Sequence, residues 1–250
     1  MSDKISVLIQ EFLDDRRIYC VDYTVKTYEI YLSRFFDWLP ADDISLLSKD
    51  TLKQYVLSLR GTMKNVSVRT CYRHVKAFCK WLYQEDYLES DITVGVKLPK
   101  NDAAIVEPLT TAEVKLIDEA IINKSITNLM ALRNYCIFHL MLDCGLRRKE
   151  VINLQKNDYK SGRLIIRNGK GNKDRIVLLP DFLYSNIHNY YNRSHYLHEH
   201  FINKSPYVFL DYKCKNQITF DTIKSFFQDL KEQSGVTRIH GHLCRHTFAT

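Results

Sequence analysis

Helical periodicity runs through the first ninety residues, disappears between Asp91 and Pro108, and returns after Thr110 interleaved with β pattern. That interruption divides the chain into a helical part (1–90), a linker (91–108) and a mixed part (109–250). In the first part Ile5, Leu8, Ile9, Phe12 and Leu13 share one face of a helix over residues 5–17. Thr24 is placed to cap a second helix, in which Tyr28, Tyr31, Leu32, Phe35, Phe36 and Leu39 keep i, i+3/i+4 spacing as far as Pro40. Ser48 or Asp50 caps a third, stopped by Gly61, and Ser67 caps a fourth that ends near Tyr87. The linker carries Pro99 and Pro108 among scattered polar residues. Beyond it, Thr110 and Glu113 have the spacing of a capping box. Residues 131–142 read as an apolar helix, which Gly145 interrupts and 147–154 restarts. Two short strands, 163–167 and 175–179, flank a Gly-containing loop, and helices follow over 181–193, 219–234 and near His242. The fold class is mainly α with a small β-sheet: a helical bundle followed by a mixed α/β domain.

Composition narrows the function. The 250 residues are 45% apolar, enough for a packed core and too much for a disordered chain. No apolar run approaches the ~20 residues of a membrane span, and the stretch 135–142 is broken by His139. The amphipathic start is not that of a secretory signal peptide. Seven cysteines without CxxC spacing read as reduced thiols of a cytoplasmic protein. The net charge of +7 favours a polyanionic partner, and the charge is concentrated. Residues 51–80 carry Lys53, Arg60, Lys64, Arg69, Arg73, Lys76 and Lys80 and no acid. On the fourth helix Arg69, Arg73, Lys76 and Lys80 form a basic stripe beside the apolar stripe of Val68, Tyr72, Val75, Cys79 and Leu82.

Four local clusters have the residue types for chemistry. Gly145 before a helix start leaves backbone N–H groups free, Arg147 projects from the first turn, and Glu150 three residues on can hold its guanidinium; this suits an anion, or is a surface ion pair. The loop from Gly169 through Lys170, Gly171 and Lys173 to Arg175 can reach toward a phosphate, or is a polar hairpin tip; it lacks Walker A spacing and is followed by a strand. His242 and Arg245 share one helix face, where an imidazole beside a fixed cation can exchange a proton, with His240 and His246 flanking them. His195, His198 and His200 have spacing that could seat a metal, without any companion ligand cluster; a solvated segment is the plainer reading.

Taken in order, these segments resemble the tyrosine recombinase (phage integrase) family. Glu107–Glu113 resembles the opening of its catalytic domain, Leu142–Leu154 its first arginine motif, Gly169–Arg175 its β-hairpin lysine motif and His242–Thr250 its HxxRH motif. The helical part is similar to the family's SAM-like core-binding domain. The resemblance implies DNA strand cleavage and rejoining through a phosphotyrosine intermediate. It implies catalytic roles for Arg147 and Arg245 as phosphate clamps, for Lys170 as donor to the departing 5′-hydroxyl, and for His242 as acid/base partner, with Glu150 and His246 supporting. Lys53, Lys64, Arg69, Arg73, Lys76, Lys80, Lys173 and Arg175 are the expected DNA contacts. Double-stranded DNA is the expected partner, a homotetramer the expected assembly on it, and no metal, cofactor or membrane is called for. The family's tyrosine nucleophile lies downstream of the HxxR helix. The chain stops within that helix at Thr250, and none of its sixteen tyrosines, Tyr207 and Tyr212 included, stands at that position. The expectation is therefore a catalytic domain incomplete at its C-terminus, of Xer-like or small mobile-element type. Two functions stay open: a recombinase, or a non-catalytic DNA-binding protein or inactive fragment.

Overall fold

The computed structural model describes residues 4–100, 106–125, 128–160, 162–167, 174–202 and 205–250, with no side-chain description for 123–125, 160 and 195–202. The chain forms two compact units, 1–104 and 105–250.

Among the described residues the first unit has four helices, α1 (Ile5–Tyr19), α2 (Asp22–Trp38), α3 (Lys49–Leu59) and α4 (Asn65–Gln84), with one 3-10 turn at Ile44–Leu46. Each contributes to one core, in which Phe12, Leu32, Phe35, Leu52, Tyr55, Tyr72 and Phe78 are fully buried. Phe12 meets Phe78 and Trp81 edge-on at 5.6 and 5.7 Å between ring centroids. Each such side chain contributes about 1.5–3 kcal/mol relative to exposure. The apolar stripe of α4 is wholly buried, as its spacing requires.

Three expectations need correction here. Ser48 caps α3, accepting from the Thr51 N–H at 3.1 Å, but Thr24 and Ser67 cap nothing. Their N–H groups already donate to the carbonyls of Val21 and Lys64, both at 2.8 Å, so they lie inside helices that begin earlier. The linker starts later than Asp91. Residues 91–98 fold by turns: Asp91 Oδ1 accepts from the Thr93 N–H and hydroxyl at 2.9 and 2.6 Å. Thr93 is buried, and Ile92, Val96 and Leu98 pack on the first core.

The second unit holds α5 (Thr111–Ser125), α6 (Leu129–Leu142), α7 (Arg148–Ile152), a three-stranded sheet, α8 (Asp181–Ile202), α9 (Phe220–Ser234) and α10 (Gly241–Ala249). The expected capping box forms, with the Glu113 N–H on Thr110 Oγ1 at 3.2 Å and the Thr110 N–H on Glu113 Oε2 at 2.8 Å. α6 is the central element, packed by α5, α8 and α10. A helix hydrophobic all round belongs in the middle of a core, and Cys136, Ile137, Phe138, Leu140 and Met141 are all buried. Its buried polar residues, Arg133 and His139, have partners: Arg133 Nη1 donates to the Leu210 carbonyl at 2.8 Å, and His139 meets two carboxylates.

The sheet is antiparallel in the order β1 (Tyr159–Lys160), β2 (Arg163–Ile166), β3 (Arg175–Leu178). Arg163 lies opposite Leu178 and Ile166 opposite Arg175. β1 adds to the two strands expected; two residues are too few to display a period. α8 runs nine residues past the expected end at 193. α9 is capped by Thr219, which accepts from the Thr222 N–H at 3.2 Å, and Gly235 closes it in the left-handed conformation.

Candidate active site

Three segments distant in sequence meet in the second unit: the turn after α6, the first residue of β3, and α10. The turn begins where Asp143 and Leu146 send their N–H groups back to the carbonyls of His139 and Leu140, at 2.7 and 3.0 Å. Gly145 takes a left-handed φ of 62°, and the Phe248 ring of α10 occupies the space a Cβ would need. Only glycine meets both conditions.

Arg147 then opens α7. Its N–H donates to Glu150 Oε2 at 2.7 Å and its Nη1 to Oε1 at 2.8 Å. Arg175 completes the arrangement bidentately, with Nη1 on Oε1 at 2.8 Å and Nη2 on Oε2 at 2.7 Å. One carboxylate, its side chain 7% exposed, thus accepts four bonds. Burial alone would raise the Glu150 carboxyl, but the bonds from Arg175 and Arg147 outweigh it and hold the group at about 2.

Arg245 reaches the same place from α10, its Nη1 donating to the Gly145 carbonyl. Burial, followed by the charge of Arg147, holds its guanidinium below the usual arginine value, while Glu150 works in the opposite sense. Three guanidiniums around one carboxylate leave a net charge of two positive units. A cavity of about 380 Å³ opens beside Gly145, Arg175 and Arg245, and another of about 640 Å³ beside Arg147, Glu150, Arg167 and Tyr207. Arg245 borders the first cavity and Arg147 the second, and a fixed planar guanidinium next to open space can bind an oxyanion bidentately.

The other sequence candidates fall as follows. His242 is exposed on α10, one turn before Arg245. His246 is half-buried, its Nδ1 3.4 Å from the Thr250 hydroxyl. His240 is the N-cap of α10, its Nδ1 accepting from the Leu243 N–H at 3.1 Å. Burial and the neighbouring His242 lower its pKa, consistent with a ring nitrogen that must stay unprotonated to accept. Lys170 and Lys173 lie outside the described residues. Arg175, expected as a DNA contact, is bound to Glu150 by both its Nη atoms: a buried carboxylate draws in the second donor it needs.

In the first unit Arg73, Lys64, Lys53 and Lys80 are exposed on α3, α4 and the segment before α4, with Arg69 and Lys76 half-buried. Three of these cations have neighbours beyond the acid-free stretch. Lys53 pairs with Asp50 at 2.7 Å, Lys80 lies 3.9 Å from Asp91, and Arg69 donates to the Pro99 carbonyl at 3.1 Å. The His195, His198 and His200 side chains lie outside the described residues, and no metal-binding grouping occurs among the described ones. All seven cysteines are free thiols. Among the described residues no helix is long and apolar enough to cross a membrane.

Sequence reasoning missed Arg238. It donates to Glu113 Oε1 and Oε2 at 2.8 and 2.6 Å and to the carbonyls of Glu107 and Pro108, both at 2.7 Å. Thr247 Oγ1 on α10 accepts from the Leu109 N–H at 2.9 Å. Both tie the start of the second unit to the region of α10. A lone arginine before a helix carries no local signal of such reach.

Known proteins resemble this chain in sequence and in fold. Residues 94–250 match the phage integrase family. The tyrosine recombinase XerA of Pyrococcus furiosus is 29% identical over 231 residues, covering 91% of this chain and 73% of that protein. The TnP I resolvase of Bacillus thuringiensis is 27% identical over 236 residues, covering 91% and 78%. Among solved structures, the Tn1549 transposon integrase in complex with a circular intermediate DNA superposes with a TM-score of 0.78 at 16% identity, covering 99% of this chain and 85% of that one. The XerH recombinase in a post-cleavage complex with its difH substrate gives 0.74 at 17%, covering 96% and 71%. A lambda integrase tetramer bound to a Holliday junction gives 0.76 at 13%, covering 99% and 70%. At such identities the structures share the fold. The chain belongs to the phage integrase family, the tyrosine recombinases.

Proposed function

We propose that this protein is a site-specific DNA recombinase that cleaves and rejoins strands through a phosphotyrosine intermediate. The observation that carries the reading is the convergence of Arg147 and Arg245, one fixed by Glu150 and the other by the Gly145 carbonyl. A phosphodiester repels nucleophiles, and negative charge builds on its non-bridging oxygens in the transition state. Preorganised guanidiniums stabilise that charge without reorganising. Arg147 and Arg245 clamp those oxygens. Lys170 protonates the departing 5′-hydroxyl, His242 acts as acid/base partner from the exposed face of α10, and His246 supports that helix. Glu150 holds Arg147, and Arg175 holds Glu150. The attacking tyrosine is assigned to none of residues 1–250. Since the arginines supply the positive charge, the reaction needs no metal or cofactor. Covalent storage of the phosphoester makes rejoining independent of a nucleotide.

In this reading the first unit is the core-binding domain. Lys53, Lys64, Arg69, Arg73, Lys76 and Lys80 contact duplex phosphates, and Lys173 reaches DNA from the hairpin loop. Four copies assemble on two duplexes in the cytoplasm. Xer-like and small mobile-element types both stay open, since XerH and the Tn1549 transposon integrase match the fold at 17% and 16% identity.

The test uses the protein carried to the end of its open reading frame and a nicked suicide duplex bearing its site. A covalent protein–DNA adduct is expected. Arg147→Ala or Arg245→Ala should slow its formation by about 10²–10³-fold, the cost of losing one preorganised transition-state donor. A frame that stops after codon 250, together with duplex binding but no adduct, would replace this reading with a non-catalytic DNA-binding protein.

A further inference from the structure

His139 is an anomaly in the most apolar helix of the protein. Its side chain is 6% exposed, yet both ring nitrogens face carboxylates: Nδ1 lies 2.6 Å from Asp143 Oδ2 and Nε2 lies 2.9 Å from Asp118 Oδ1. An ionised carboxylate only accepts hydrogen bonds, and a neutral imidazole has a single N–H. Both contacts are satisfied together only by an imidazolium. Three aromatic rings also lie against it. The Tyr135 ring of α6 lies 4.3 Å away, Phe138 5.0 Å, and Phe182 of α8 5.2 Å. The titratable groups facing it are therefore Asp118 from α5, with Tyr135 and Asp143 from α6 and its C-terminal end. The buried Cys144 thiol, raised to about 12 by burial and by Asp143, stays neutral beside them.

The position of these contacts gives them consequence. Asp118 belongs to α5. Asp143 is the C-cap of α6 and stands two residues before Gly145 and four before Arg147. Gly145 supplies the carbonyl that holds Arg245, and Arg147 begins the Glu150 arrangement. The turn that presents Arg147 and holds Arg245 is thus tied to α5 through one charged ring.

We infer that His139 is a positioning residue for the arginine site: as an imidazolium it bridges Asp118 and Asp143 and fixes the turn that presents Arg147 and holds Arg245. Loss of its proton turns one ring nitrogen into an acceptor facing an acceptor. Whichever contact then opens, the tie between α5 and the turn is broken. Burial opposes the charge, but the two carboxylates outweigh it and raise the His139 pKa above the ordinary imidazole value. The sign follows. The bridge is fully present below that ordinary value and is lost as pH rises through the raised one. The inference rests on the reading of Arg147 and Arg245 as phosphate ligands, but its test does not require that reading.

The experiment is an NMR pH titration of the protein, following the His139 imidazole together with the backbone amides of Gly145 and Arg147. The expected result is one shared midpoint. Asp118→Asn, a half-buried isosteric change compatible with folding, should move both midpoints to lower pH together. His139→Gln should flatten the amide response. Gly145 and Arg147 amides that do not titrate, or that keep their midpoint when Asp118→Asn moves that of His139, would overturn the inference. Affinity for inorganic sulfate, which does not itself titrate in this range, should fall about fivefold across the same midpoint. A shared amide midpoint with no sulfate binding at any pH would leave the bridge standing and refute the phosphate reading alone.

Discussion

The basic face of α4 and the arginine site of the second unit are both collections of cations, but they are built on different principles. On α4, Arg73 and Lys80 are exposed on a helix whose other face supplies the core. Their geometry is that of the helix repeat. In the second unit, Arg147 and Arg175 share a buried carboxylate, and Arg245 is held by a backbone carbonyl. A face of the first kind suits an extended polyanion, for which each phosphate contact is worth much the same. A site of the second kind fixes planar donors in one orientation, as a single reacting phosphate demands.

Glu150→Gln should break the comparison most visibly. It removes the charge that fixes two arginines, and adduct formation should drop with it by about 10²-fold. Stability of the second unit should fall by about 1–2 kcal/mol at neutral pH, because Arg147 and Arg175 are a third or more exposed and solvent screens them. The pH dependence has a definite sign. A carboxyl held at about 2 against an ordinary 4.5 contributes stability above the ordinary value and loses it as pH falls toward 2. The destabilisation should therefore shrink between about pH 5 and 2. Both tryptophans, Trp38 and Trp81, lie in the first unit. The circular-dichroism transition should move while the tryptophan-fluorescence transition does not.

Arg73→Ala should sharpen the contrast by doing little to either transition, within about 0.5 kcal/mol. In duplex binding it should lower affinity for all sequences alike and reduce the salt slope by about 0.9. A sequence-selective loss would mean that α4 reads bases.

The same contrast explains what was legible in the sequence. The α4 stripes, the Thr110–Glu113 box and the hairpin strands are patterns within twenty residues, and helix and strand geometry act at that range. The clamp roles proposed for Arg147 and Arg245 rest on family resemblance rather than on local pattern. The Arg175–Glu150 pair spans 25 residues, and Arg238 reaches back 125 to Glu113. Nothing local marks Arg238 as different from Arg163 or Arg193, and the hairpin cluster that includes Arg175 gives no sign of Glu150. His139 was visible only as a break in an apolar run, because both carboxylates that explain it are placed by tertiary packing. Residues 91–98 read as linker because they pack Ile92, Val96 and Leu98 against the core through turns, which have no period to detect.

Sulfate binding measured by calorimetry on the wild-type protein, Arg245→Ala and Arg73→Ala tests most directly whether the arginine cluster is a built phosphate site. The account predicts one sulfate per chain, weakened about tenfold or more by Arg245→Ala, the scale of one charge-assisted hydrogen bond, and unaffected by Arg73→Ala. Equal binding by wild-type protein and Arg245→Ala, or a loss confined to Arg73→Ala, would contradict it.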